Sequence, residues 1–280
     1  MKILAIGDFH GKFPGKLKKE AKKVDLILST GDYAGIDEWR PLLKRVYKAR
    51  EKGKKISVGG LLGEERYGKL LKKDYSEGEK VIKELNKFKT KVFSIFGNGD
   101  WYKVFFNDYG RYYEKLIKKL KFVKDINRGK DKFKGFKLVG FGGYIDNDIY
   151  FTKKGVEATG EDVGRNRKRR KRYLQEKKRF MKLMKNKPDI LLTHYTPYKC
   201  LDKMRAKGFA LTGGNMGISF FNNGIKRYSP LLVVCGHMHE NQGKCRIRKS
   251  LVVNPGAASE GKAAVIELEK NKVKNVKFLR

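Results

Sequence analysis

Apolar, strand-like runs that stop at a glycine, aspartate or histidine recur along this chain. They constrain its fold more than any other feature. The runs are Lys2–Gly7, Asp25–Thr30, Lys55–Val58, Lys91–Phe96, Phe136–Phe141, Asp189–Thr193, Leu231–Cys235, Leu251–Val253 and Ala263–Leu268. Lysine-rich amphipathic segments near 15–23, 37–52, 76–89 and 111–120 separate the early ones. Such strand–helix alternation predicts a sheet with covering helices. The fully apolar runs in "DLILST", "DILLTH" and "LLVVCGH" suit strands buried on both faces. The later part reads as richer in strands and poorer in helices. No repeat, low-complexity linker or boundary signal breaks the chain, so one domain over residues 1–280 is expected.

The ends of the runs carry the chemistry. The sequence has four histidines, His10, His194, His237 and His239, and each lies where a predicted strand ends. Asp8 in "LAIGD", Asp32 in "LILSTGD" and Asn98 in "SIFGN" occupy equivalent positions. In an open α/β sheet the C-terminal ends of parallel strands converge on one edge, where ligands bind. Residues two apart in an extended chain point the same way. Asp8 with His10, and His237 with His239, are therefore each expected to present a pair of ligands. A lone strand-end histidine is an ordinary hydrogen-bonded residue, and a lone Gly-Asp is a turn. Four imidazoles, two carboxylates and an amide oxygen placed alike point instead to metal. Seven donors of mixed type suit two ions with a carboxylate between them. Imidazole with carboxylate favours Mn, Fe, Zn, Ni or Co over Ca or Mg.

The ordered set "GDFHG", "GDYAG", "GN", "TH" and "GHMH" resembles the five motifs of the calcineurin-like metallophosphoesterases. The match runs from residue 7 to residue 239, and the glycine-containing tail "VVNPGAAS" is similar to that of many relatives. The resemblance implies a four-layer α/β/β/α sandwich and a site for two divalent metal ions, manganese favoured. Carried over by position, one ion would take Asp8, His10 and His239. The other would take Asn98, His194 and His237, with Asp32 bridging. The implied activity is phosphoester hydrolysis by a hydroxide held between the ions.

One position departs from that pattern. Many relatives read Gly-Asn-His-Asp/Glu where this chain reads Gly97-Asn98-Gly99-Asp100. The missing histidine is the family's helper for phosphate and leaving group, and no spare imidazole exists to replace it. A proton for the leaving alkoxide must come from Lys, Tyr, a metal-held water or Asp100. The loss favours substrates with easier leaving groups, and a phosphodiesterase over a phosphomonoesterase. Asn98 is also a candidate for contacting substrate. Asn215, on the glycine-rich stretch "LTGGNMG", is a second, because such a loop can turn backbone N–H groups toward phosphate.

Charge widens the choice of partner. The formal net charge is +37, from 67 basic and 30 acidic residues. Residues 165–187 hold 13 Lys or Arg and one acid, Glu176. The rest of the excess is dispersed, as a general lysine bias would be. Around the basic run, a basic helical insertion is expected near 159–187. Thr159-x-x-Asp162 reads as its capping box and Pro188 as its stop. Tyr173, Phe180 and Met184, with Leu174 and Met181 beside them, form its apolar stripe. Its outer face is either a wet charged surface or a grip for a polyanion. A small phosphoester is the expected substrate. A nuclease using residues 165–187 to hold nucleic acid, and a non-catalytic metal-bearing scaffold, are the alternatives. No run approaches a membrane span, and Asp8 interrupts what would be a leader's apolar region, so a cytoplasmic protein is expected. Cys200, Cys235 and Cys245 are scattered and odd in number, which argues against a disulfide framework and a cysteine zinc site.

Overall fold

The computed structural model describes the chain except residues 52, 55, 101–108, 154, 157–162 and 206–210. Twelve strands form two six-stranded sheets. In chain order the elements are β1 (Lys2–Ile6), α1 (Gly15–Ala21), β2 (Leu26–Ser29), α2 (Trp39–Glu51), α3 (Val58–Leu62), α4 (Glu64–Lys87), β3 (Lys91–Ser94), α5 (Tyr109–Ile117) and β4 (Val123–Asp125). Then come β5 (Gly129–Phe133), β6 (Phe136–Phe141), α6 (Val163–Met184), β7 (Ile190–Thr193), α7 (Ser219–Tyr228), β8 (Leu232–Val234), β9 (Gly243–Ile247), β10 (Ser250–Asn254), β11 (Ala263–Leu268) and β12 (Val273–Leu279).

The first sheet has the order β12-β11-β1-β2-β3-β4, and the second β5-β6-β7-β8-β10-β9. Strands β1 to β4 are mutually parallel, as are β6, β7, β8 and β10. The antiparallel strands lie outside them.

Strand alternation builds the layers. Ile3, Ala5, Leu28 and Phe93 of the first sheet face Leu138, Leu192, Val234 and Val253 of the second in one buried cluster. The intervening residues point outward. Leu4, Ile6, Ile27 and Val92 pack under Leu17, Val81, Leu85 and Tyr113 of the helices. Val139, Phe141, Leu191 and Val233 pack under Phe180, Met184, Phe220 and Ile225 of α6 and α7. Helices thus cover the outside of two stacked sheets, the four-layer α/β/β/α arrangement expected.

Three local readings need correction. Residues 56–58 are not a strand. Ser57 caps α3, accepting from Gly60 N–H at 3.0 Å, and the glycines that follow favour a turn over a ladder. Helix α4 begins at Glu64, well before residue 76, because Leu71 and Tyr75 extend its apolar face. Leu174 is 49% exposed and leaves the stripe that buries Tyr173, Phe180 and Met184. The capping box at Thr159 and Asp162 lies outside the described residues. Cysteine pairing also differs from expectation. Cys200 and Cys245 are joined, with Cα atoms 6.2 Å apart, and Cys235 stays free and buried. The loop after β7 and edge strand β9 are 45 residues apart in sequence, so spacing gave no sign that they are neighbours.

Candidate metal centre

The loops that follow β1, β2, β3, β7 and β8 leave their strands at one edge of the sandwich. They bring Asp8 and His10, Asp32, Asn98 and Asp100, His194, and His237 and His239 together. Two groups form there. Asp8, His10 and His239 make one, and Asp32, His194 and His237 the other; within each, the donor atoms lie within 4.8 Å of one another.

The backbone is tightly turned at this edge. Asp8, His10, Asp32 and His237 have φ of 53°, 48°, 53° and 69°. Left-handed geometry at non-glycine residues costs on the order of 1 kcal/mol or more each and concentrates at functional sites. The paired ligands are therefore not presented from extended chain, as alternation predicts. Asp8 and His10 do share a group, but by turning, and His237 and His239 fall in different groups. The motif glycines serve close approach. A Cβ at Gly7 would lie 1.7 Å from Thr30 Oγ1, and one at Gly97 would lie 2.0 Å from Asp32 Oδ1.

Hydrogen bonds orient each donor. His194 Nδ1 lies 2.9 Å from the Thr30 carbonyl oxygen, so Nδ1 carries the proton and Nε2 is free to act as a donor to metal. That Nε2 sits 2.9 Å from Asn98 Oδ1 and 3.5 Å from Asp32 Oδ2. His239 Nε2 lies 3.0 Å from His10 Nε2 and 3.4 Å from Asp8 Oδ1. The backbone N–H of His237 donates to the Asp8 carboxylate at 3.0 Å. Gly99 N–H donates to Asp32 Oδ1 at 2.7 Å.

Electrostatics ready the set. Burial acts to raise Asp8, but the bond and charge of His239 outweigh it, so its carboxyl is held well below the usual range. Burial, with His194 next, pushes His237 far down, and burial lowers His10. For His239, burial is opposed and outweighed by Asp8, and the net shift is upward. A neutral His10 and His237 beside an ionised Asp8 suit a cation, which would take the place of the proton that Asp8 favours on His239. Two imidazole nitrogens facing each other at 3.0 Å require a proton or a cation between them, and His10 Nδ1 is buried with no partner among the described residues. The residues fit a metal centre.

Asp100 and Asn215 stand apart from the donor cluster. Asp100 is fully buried. Its Oδ1 accepts the N–H groups of Tyr33 and Ala34 at 2.8 and 3.0 Å, and its Oδ2 that of Gly97 at 2.9 Å. It staples the Asp32 loop to the Asn98 loop. Burial, then the charge of Asp32, pushes its carboxyl up to about 8. Asn215 lines a neighbouring cleft of about 530 Å³ with Lys203, Arg205, Glu240 and Asn241.

Several residues that shape the site gave no motif signal. Asp74, buried on α4, accepts from Gly35 and Ile36 N–H at 2.7 and 3.0 Å and fixes the loop beyond Asp32. Asn254 donates from Nδ2 to the Met238 carbonyl at 2.9 Å, holding the turn between His237 and His239. Ala258 and Ser259 N–H groups donate to the Gly7 and Asp8 carbonyls at 2.8 and 3.2 Å. The "VVNPGAAS" tail noted in the sequence is thus the floor of the site.

Fold and donor set together define a protein built to carry metal at the strand-end edge of a two-sheet α/β sandwich. A family model for "Metallophosphoesterase, calcineurin superfamily" matches residues 1–278, and the chain belongs to that family, whose chemistry is metal-dependent hydrolysis of phosphoesters. One crystal structure aligns with a TM-score of 0.63 at 18% identity, covering 100% of this chain and 99% of that one. The crystal structure of TT1561 of Thermus thermophilus aligns with a TM-score of 0.56 at 18% identity, again over 100% and 99% of the two chains. At that identity the likeness concerns the fold. No curated protein matches the sequence. Among the described residues no helix is long and apolar enough to cross a membrane.

Proposed function

We propose that the protein is a phosphodiesterase that uses two divalent ions, with manganese favoured among Mn, Fe, Zn, Ni and Co. Asp8, His10 and His239 would hold one ion, Asn98, His194 and His237 the other, and Asp32 would serve both. The observation that carries this reading is the pair of donor groups at one edge, Asp8, His10 and His239 in one and Asp32, His194 and His237 in the other, with Asn98 Oδ1 2.9 Å from His194 Nε2. When bound, such a pair of ions supplies activated water at neutral pH and withdraws charge from the phosphoryl oxygens.

The chain's own residues set the preference for diesters. Gly99 has no side chain to protonate a leaving alkoxide. Asp100 is closed off from solvent and holds three backbone N–H groups, so it acts through the loops it joins and not on substrate. The Asn98 amide and the cleft wall at Asn215 remain to contact the ester. With no positioned acid among the described residues, a group that contributes ~10²–10⁴ in rate, leaving-group quality governs turnover.

Hydrolysis of bis-p-nitrophenyl phosphate by Mn²⁺-loaded protein tests the reading. Asp32→Ala and His194→Ala are each expected to lower it by on the order of 10³-fold. A metal-loaded protein that turns over no ester with any divalent ion would overturn it in favour of a scaffold.

A further inference from the structure

Helix α6 shows solvent a cationic face that no acid among the described residues neutralises. Its inner face is engaged: Phe180 lies 5.2, 5.4 and 4.9 Å from the rings of Phe141, Phe220 and Phe221. Its one acid, Glu176, turns to Arg128 and Arg179 at 3.1 and 3.0 Å. Arg169 and Arg172 both reach the buried Asp146, at 2.8 and 3.1 Å. Arg167, Lys168, Arg170 and Lys171 are exposed, and none has an ion pair among the described residues. Helix α4 is also lysine-rich, yet Lys69, Lys80, Lys83 and Lys87 pair with Glu65, Glu77, Glu79 and Glu84. The charge on α6 is therefore distinct from that on α4.

Topology puts this face beside the centre. Strand β6 runs toward the site edge, and Phe141 at its end pairs with Thr193, the residue before His194. The chain leaves there, and α6 returns along the sheet to the start of β7. Asp146, three residues beyond the close approach at Gly143 N–H to Phe96 O (2.7 Å), clamps the first turns of α6 at that rim.

We propose that this face binds the backbone of double-stranded nucleic acid, with Arg167, Lys168, Arg170 and Lys171 contacting phosphates. Charge complementarity calls for a polyanion. Stable seating in a lipid surface needs apolar residues pointing outward beside the basic ones, but on α6 the aromatic and methionine side chains point inward, and of its described large apolar residues Leu174 alone is exposed. Single-strand binders add aromatic stacking, and the described outer face of α6 carries no ring. Phosphate contact alone suits a duplex. Binding of this kind requires neither metal nor hydrolysis, so it stands or falls apart from the phosphodiesterase reading.

Fluorescence anisotropy with a labelled duplex of ~20 base pairs, from ~50 to ~200 mM salt, measures the affinity and its salt slope. The variant R167Q/K168Q/R170Q/K171Q is expected to bind on the order of 100-fold more weakly at low salt, with a slope shallower by about 3–4. The α4 variant K69Q/K80Q/K83Q/K87Q removes the same charge and is expected to change both far less. These exposed substitutions leave the unfolding midpoint within ~2 °C. The pair R167Q/R170Q, with about half the slope change, serves if the quadruple variant does not fold. Equal losses in the α6 and α4 variants would overturn the proposal, since net charge alone would then explain binding. So would absence of duplex binding, or α6-dependent binding to phosphatidylserine vesicles but not to duplex.

Discussion

Gly99 decides more than its size suggests. Its N–H holds Asp32 Oδ1 at 2.7 Å, and its φ lies outside the left-handed region, so a side chain is conformationally allowed there. A Cβ would sit 3.2 Å from Asp32 Oδ1 and 3.4 Å from the Ala34 carbonyl oxygen, close contacts that require a shift of a few tenths of an ångström. Gly97, two residues earlier, has no such freedom, with Asp32 atoms at 2.0 and 2.5 Å from a Cβ. Gly99→His is expected to raise turnover of an alkyl phosphomonoester at least ~10-fold, by supplying the missing acid. It should also flatten the dependence of rate on leaving-group pKa. A substitution that binds metal normally but leaves that dependence unchanged would show that Gly99 does not set the preference. Asn98 and Gly99 were legible as a motif. The role of Asp100 was not, because its three partners come from residues 33, 34 and 97.

Elements were legible where one periodicity dominated. The apolar runs of β1, β2, β3, β7 and β8 sit in the centre of their sheets and read directly. Edge strands did not. Strand β5, "GKDKF", carries lysine on its exposed positions, and β12 alternates weakly, as edge strands do when they discourage further pairing. Strand β4 has a consequence of its own. Asp125 at its end accepts the N–H of Asn127 at 2.6 Å, and burial pushes its carboxyl up to about 7. The folded value lies above the unfolded one, so the folded chain keeps a proton that the unfolded chain gives up from about pH 4 upward. The ionisation cost is absent below that pH and grows through pH 7. Asp125→Asn is expected to match the parent near pH 4 and to exceed it by on the order of 1–2 kcal/mol at pH 8. Urea unfolding at the two pH values measures the gap, and a pH-independent difference would remove burial of Asp125 as its cause.

For the whole molecule, a net charge of +37 means self-repulsion that the cores must outweigh. Raising NaCl from ~20 to ~300 mM shortens the screening length and is expected to raise the unfolding midpoint by about 5 °C. A midpoint that falls with salt would mean that local ion pairs, such as those along α4, outweigh the net repulsion. The sequence by itself determined the strand-and-helix alternation and the seven strand-end residues that could bind metal, because period and motif are local properties of the chain; the four-layer class came with the family resemblance those motifs carry. The division into two groups was implied by the family resemblance; only the tertiary structure decided how the chain achieves it, by left-handed φ at Asp8, His10, Asp32 and His237 in loops that pack against Thr30, Asp74, Asp100 and residues 254–259. It also decided which cations stay unpaired among the described residues. Charge is written in the sequence, but whether Lys83 meets Glu79 or Arg170 stands exposed with no acid beside it among the described residues depends on which face each helix turns to its sheet.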